Sequence, residues 1–107
     1  MRKKILKIYD ELVALNPNFE RKGKTMPYTS ANGYMFSLLN KEDELGIRLS
    51  KEDQAEFNQV FGAVPFKSHG AVLKEYVLIP ETLLTDGITL GKYLQKGFEY
   101  VMSLPPK

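Results

Sequence analysis

The spacing of apolar residues changes along the chain, and each change marks an element. Between Lys3 and Leu15, the residues Ile5, Ile8, Tyr9, Leu12 and Leu15 recur three and four apart, which lines one face of a helix. Asn16-Pro17-Asn18 ends that helix, because the residue before a proline is pushed out of the helical region. Phe19 is expected to fold back onto the core, and Glu20 to Lys24 to form a polar connector. Thr25 to Ser30 and Tyr34 to Leu39 then read as two strands joined by Asn32-Gly33. An Asn-Gly pair holds both central residues of a tight turn at positive φ, matching the twist of a two-residue hairpin. Pro27 cannot donate to a ladder, so the first of these strands is an edge or carries a bulge. Alternation along the second puts Tyr34, Phe36 and Leu38 on the core face, with Met35, Ser37 and Leu39 opposite. Asn40 to Glu44 reads as a solvated turn leading to a third strand, Leu45 to Leu49.

Ser50 is placed to cap a second helix, with Asp53 at the reciprocal position and Glu52 favourable to the helix dipole. That helix should reach Phe61, burying Phe57, Val60 and Phe61, before Gly62 stops it. Val64 to Lys67 reads as a short strand turning at Ser68-His69-Gly70. Ala71 to Ile79 is the longest strand and is apolar on both sides, which predicts a central position, and Pro80 closes it. One helical turn over Glu81 to Leu84 precedes a last helix from Leu90 to Ser103, capped by Thr89. Gly97 interrupts the apolar stripe of that helix. A mid-helix glycine costs about 1 kcal/mol against alanine, so it marks a close approach by another element. The order of elements is α+β: an antiparallel sheet of about four to five strands, with an N-terminal, a middle and a C-terminal helix packed on it.

Composition narrows the function classes. At 107 residues the chain forms one domain, residues 1–107, and a chain of this size buries about two-thirds of the surface it exposes when unfolded. Its 43% hydrophobic and 26% charged residues fit an ordinary globular protein. There is no cysteine, which removes disulfides, thiolate nucleophiles and zinc–thiolate sites. The single histidine, His69, excludes metal sites built on two imidazoles. No apolar run is long enough for a signal peptide or a membrane span, so a cytoplasmic protein without membrane contact is expected.

Few motifs carry chemistry. Gly23-Lys24-Thr25 matches the tail of the phosphate loop GxxxxGK(S/T), but the first glycine would fall at Asn18, and Met26-Pro27 forces extended chain where a helix must begin. His69 sits in a turn with no acid to orient it as a general base. Glu42, Asp43 and Glu44 lack the spacing of a calcium loop and read as a charged hairpin tip. Glu75 lies between Leu73 and Val77, either partly buried with a partner or at the sheet margin, and the margin is preferred. No catalytic, cofactor or metal residues are assigned, so no enzymatic activity is expected. Charge is uneven, +4 over residues 1–24 and −2 over residues 25–107. Arg2, Lys3 and Lys4, with Arg21, Lys22 and Lys24, are the candidate contacts for an anionic partner; a solvated, frayed terminus is the other reading of the first cluster.

Lys24-Thr25-Met26, Gly33-Tyr34-Met35-Phe36-Ser37-Leu38-Leu39, Leu45-Gly46-Ile47-Arg48-Leu49 and Glu75-Tyr76-Val77-Leu78-Ile79-Pro80 occur in an order that resembles the N-terminal domain of the TfoX/Sxy competence regulators. Pro27-Tyr28 stands where that family has Phe-Gly-Gly, and no tryptophan adjoins Tyr76. The 107 residues hold no counterpart of the regulators' second domain, so the competence role is not carried over. The resemblance implies a compact α+β domain without catalytic residues that binds protein. A homo-oligomer, self-associating through the Pro27-bearing edge or an apolar helix face, is one expected form of such a module. Tyr100, Val101 and Leu104-Pro105 are similar to the ending of YjbR-like proteins, sometimes described as DNA-binding. That implies the alternative, a nucleic-acid-binding accessory protein using the basic N-terminal region.

Overall fold

In a computed structural model the chain runs α1 (Arg2–Ala14), β1 (Tyr28–Ala31), β2 (Tyr34–Leu39), β3 (Leu45–Arg48), α2 (Lys51–Phe61), β4 (Lys67–Ser68), β5 (Ala71–Val72), β6 (Tyr76–Leu78), α3 (Glu81–Leu84) and α4 (Gly87–Ser103). The structure describes residues 2–107 apart from 63 and 69, with the backbone alone for 2 and 3. The four-stranded sheet has the order β1-β2-β3-β6, antiparallel throughout, and β4 and β5 form a separate hairpin. The α+β architecture with N-terminal, middle and C-terminal helices is as expected. Among the described residues, no helix is long and apolar enough to cross a membrane.

The Asn32-Gly33 turn forms with φ of 55° and 85°. The Asn32 side-chain amide also donates to the Val101 and Leu104 carbonyls at 2.9 and 2.8 Å, tying the turn to the end of α4. β1 is an edge strand, but Pro27 precedes it, so it begins at Tyr28 rather than Thr25. Its pairing corrects the assignment of faces in β2. Thr29 pairs with Ser37 and Ser30 with Met35, which leaves Phe36 as an extra residue in β2. A bulge of this kind puts two successive side chains on one side of the strand. Phe36, Ser37 and Leu39 therefore face the helices, while Met35 and Leu38 face outward.

Helices α1 and α4 cover the inner face. The Tyr9 hydroxyl lies 2.5 Å from Ser37 Oγ, which in turn bonds Thr29 Oγ1, and all three residues are buried. Phe19 does fold back, with its ring edge-on to Phe36 at 4.9 Å. Gly97 is the expected close approach: a Cβ there would lie 2.9 Å from the Arg48 carbonyl oxygen and 3.0 Å from Ile47. Ser50 Oγ accepts the Asp53 N–H at 3.2 Å as the cap of α2. Phe57 and Phe61, four residues apart, meet Tyr93 of α4. Val60 lies off that narrow seam and is 67% exposed, contrary to the expectation that it is buried.

Three further expectations change. The stretch from Ala71 to Ile79 is not one central strand; a turn at Lys74-Glu75, with Glu75 at φ 72°, divides it, and β6 lies at the sheet edge. It is apolar on both sides because Val77 and Ile79 join the helix-side core, while Tyr76 stacks on Phe66 on the other face. α4 begins at Gly87, with Asp86 rather than Thr89 as its cap: the Asp86 carboxylate accepts the Thr89 N–H. Asn40 is buried rather than solvated. Its Oδ1 accepts the Glu42 and Glu44 N–H groups, and its Nδ2 donates to the Lys67 carbonyl at 2.8 Å, fastening the acidic turn to β4.

On the outer face, the fully buried Phe66 ring rests on Gly46, where a Cβ would run into it. Phe66 accepts the Leu73 N–H at 3.0 Å, closing the small hairpin over the sheet.

Candidate functional site

The β4–β5 hairpin covers only part of the outer face. Between it and the connector before β1 an open groove of about 510 Å³ remains. Tyr28 of β1 and Met35 and Leu38 of β2 contribute side chains from the sheet, Leu73 from the hairpin side, and Lys24 and Met26 from the connector. The bulge in β2 supplies this lining, because strict alternation would turn Leu38 inward. Gly23, at φ 82°, lets the connector curl over the sheet; a Cβ there would lie 2.6 Å from the Met26 carbonyl oxygen and 3.1 Å from the Tyr28 ring. Lys22 exchanges both backbone hydrogen bonds with Tyr28, at 2.7 and 2.8 Å, so the outer edge of β1 is already paired there.

The groove is apolar with a positive border. Lys24 lines it, and the Lys22 ammonium reaches Ser30 Oγ at 3.4 Å on the same strand as Tyr28. Lys67 and Lys74 are exposed and adjoin the lining residues Ser68 and Leu73 in the chain. Among the described residues, no carboxylate lines the groove and none of these four lysines is in an ion pair.

The six cations proposed as contacts for an anionic partner are divided by the fold. Arg2 and Lys3 belong to the first turn of α1, but their side chains lie outside the description, and Lys4 is exposed on the same helix. Arg21 is committed elsewhere: its Nε and Nη2 hold the Asp10 carboxylate at 2.7 and 3.3 Å, and Nη1 donates to the Gly23 carbonyl. Among those whose side chains are described, Lys22 and Lys24 border the groove. Gly23-Lys24-Thr25 leads through bends into β1, with no helix to receive a phosphate. His69 lies outside the described residues.

Glu75 has a partner, contrary to the preferred reading of a carboxylate at the sheet margin. Arg48 Nε and Nη2 donate to its Oε1 at 3.0 and 2.6 Å, and the Tyr100 hydroxyl donates to Oε2 at 2.5 Å. The guanidinium lies 5.4 and 5.6 Å from the Tyr34 and Tyr100 ring centroids. Burial pushes the Glu75 carboxyl up, but the Tyr100 and Arg48 hydrogen bonds and the Arg48 charge outweigh it and hold the pKa below the ordinary value. Hydrogen bonding to Glu75 raises Tyr100 in turn. Both carboxylate oxygens are occupied within the fold, and the cluster holds the left-handed turn between β5 and β6. Its sequence signal is one acid and one base on segments that pair, Arg48 lying opposite Tyr76.

Comparison with protein-family models and with curated proteins gives no match. A second hollow, beside Ile5, Leu78 and the acidic turn, includes Glu42, Asp43, Glu44 and Glu81. Among the described residues, no three acidic or imidazole groups come together as metal ligands.

Proposed function

We propose that this chain is a small non-enzymatic binding module that receives a segment of another protein in the outer-face groove. The observation that carries this reading is the half-covered sheet face, where Met26, Tyr28, Met35 and Leu38 form an apolar lining left open between the connector and the hairpin. Methionine side chains repack readily around different partners, which suits such a surface. The resemblance of the motif order to the TfoX N-terminal domain, which implies a protein-binding module, points the same way.

The nucleic-acid reading loses support because Arg21 is neutralised by Asp10, and Tyr28 is the one ring lining the groove among the described residues. Self-association by strand addition at β1 is disfavoured at Tyr28, where Lys22 already holds the edge.

Selection from a displayed library of random peptides tests the proposal, with the wild-type chain and Met35→Asp as baits. Met35 is half-buried on the outer face, and circular dichroism checks that the variant keeps the wild-type fold. Sequences enriched on the wild type and lost on Met35→Asp are the expected result. No enrichment, or enrichment indifferent to Met35, refutes it.

A further inference from the structure

We infer that the segment bound in this groove is apolar at its centre and acidic at the flank beside the connector, an inference that rests on the groove being the binding surface. The apolar centre follows from the lining, since Met26, Tyr28, Met35, Leu38 and Leu73 offer area and no fixed hydrogen-bonding pattern. The acidic flank follows from charge. Lys24 lies in the lining and Lys22 is held toward Ser30 beside it, and among the described residues no carboxylate lines the groove and neither lysine is in an ion pair. Unpaired cations around an apolar patch raise the on-rate for acidic partners and disfavour basic ones.

An open groove is also the wrong shape for a small molecule, because small-ligand sites enclose about 70–90% of their ligand. A peptide backbone supplies the missing cover itself. Its carbonyl and N–H groups stay toward water, while alternate side chains point down into the groove.

Three fluorescent peptides sharing a Leu-Phe-Leu centre, flanked by Glu, Gln or Lys, test this by anisotropy against the full chain. A fourth carries Glu flanks around Ser-Ser-Ser. The Glu-flanked peptide is expected to bind most tightly and the Lys-flanked one most weakly, with about three- to tenfold between successive peptides at low salt. Raised salt should narrow those differences. Lys22→Glu with Lys24→Glu, both exposed positions, should invert the order, and Lys22→Gln with Lys24→Gln should flatten it.

Equal affinities for the three flanks that are lost together in Met35→Asp would leave the binding-module reading intact and overturn the acidic preference. An order unchanged by the lysine reversals would also overturn it. Equal binding of the Ser-centred peptide would show charge attraction alone and overturn the apolar centre. Binding of laurate with none of the peptides would assign the groove to a small amphiphile, and both readings would fall.

Discussion

Replacing Gly46 with alanine tests how the outer face is assembled. Gly46 lies in β3 directly beneath Phe66, and a Cβ there would meet three atoms of a ring that is fully buried and stacked on Tyr76 at 5.8 Å. The ring cannot tilt away freely, because the Phe66 carbonyl is bonded to Leu73 and the next residue, Lys67, is bonded to Asn40. Overpacking of this kind costs about 1–3 kcal/mol, and the rigid obstacle places Gly46→Ala in the upper half of that range. Phe66→Ala alone should cost about 3–5 kcal/mol, as expected for removing a buried phenylalanine ring. In the double variant the new methyl enters space the ring has left. The combined loss should then fall short of the sum of the single losses by about 1 kcal/mol or more. Urea unfolding of the four proteins measures this, with unchanged m-values confirming a common reference state. A neutral Gly46→Ala, or additivity within about 0.5 kcal/mol, would refute the placement of Phe66 on Gly46. Phe66→Ala should weaken peptide binding as well, since Phe66 anchors the segment that carries Ser68 and Leu73.

Other parts of the structure make separate predictions. Glu75→Gln should lose about 1–2 kcal/mol at neutral pH, the value of its charged hydrogen bonds. Because the folded pKa of Glu75 lies below the ordinary 4.5, its contribution is full above that value and is lost as pH falls through the folded pKa. The stability gap between wild type and Glu75→Gln should therefore close in acid, and a constant gap from about pH 7 to about pH 3 would refute the pairing. Burial pushes the Tyr9 phenol up to about 12, so the difference spectrum against Tyr9→Phe should show its ionisation there, and ionisation near 10 would contradict the buried hydroxyl chain. Val60→Ser should stay within about 0.5 kcal/mol of wild type while Phe57→Ala loses about 3–5 kcal/mol; equal losses would place Val60 in the core.

Features with a local cause were legible in the sequence. The spacing of Ile5, Ile8, Tyr9 and Leu12 defines α1, the positive φ available to Asn32-Gly33 defines the hairpin, and Gly97 announces the approach of β3. What escaped depends on partners remote in the chain. Glu75 adopts the left-handed conformation where Arg48 and Tyr100 grip its carboxylate, and nothing next to Glu75 signals either residue. Asn40 reads as a turn residue by composition, while its burial depends on the Lys67 carbonyl, 27 positions away. The groove draws on separate stretches of chain, and no short window contains its lining. Charge counting did name Lys22 and Lys24, yet it named Arg21 equally, because only the folded chain brings Asp10 to the guanidinium.

The extra residue in β2 links the core to the candidate site. Phe36 has no pairing partner on β1, so the alternation resets after it, and the trace in the sequence is Ser37 followed by two leucines where a regular strand would bury only one. Inward, the reset brings the Ser37 hydroxyl beneath Tyr9 and gives that buried phenol a hydrogen-bonding partner it would otherwise lack. Outward, it moves Leu38 beside Met35 and Tyr28 and so supplies the floor of the groove. The floor therefore lies on strands clamped from below by α1 and α4, while one wall is a connector and the other a two-stranded hairpin. Under the proposed binding role a partner would meet a base already fixed by the core, an arrangement that keeps the ordering entropy of binding low and leaves selectivity to the wall residues.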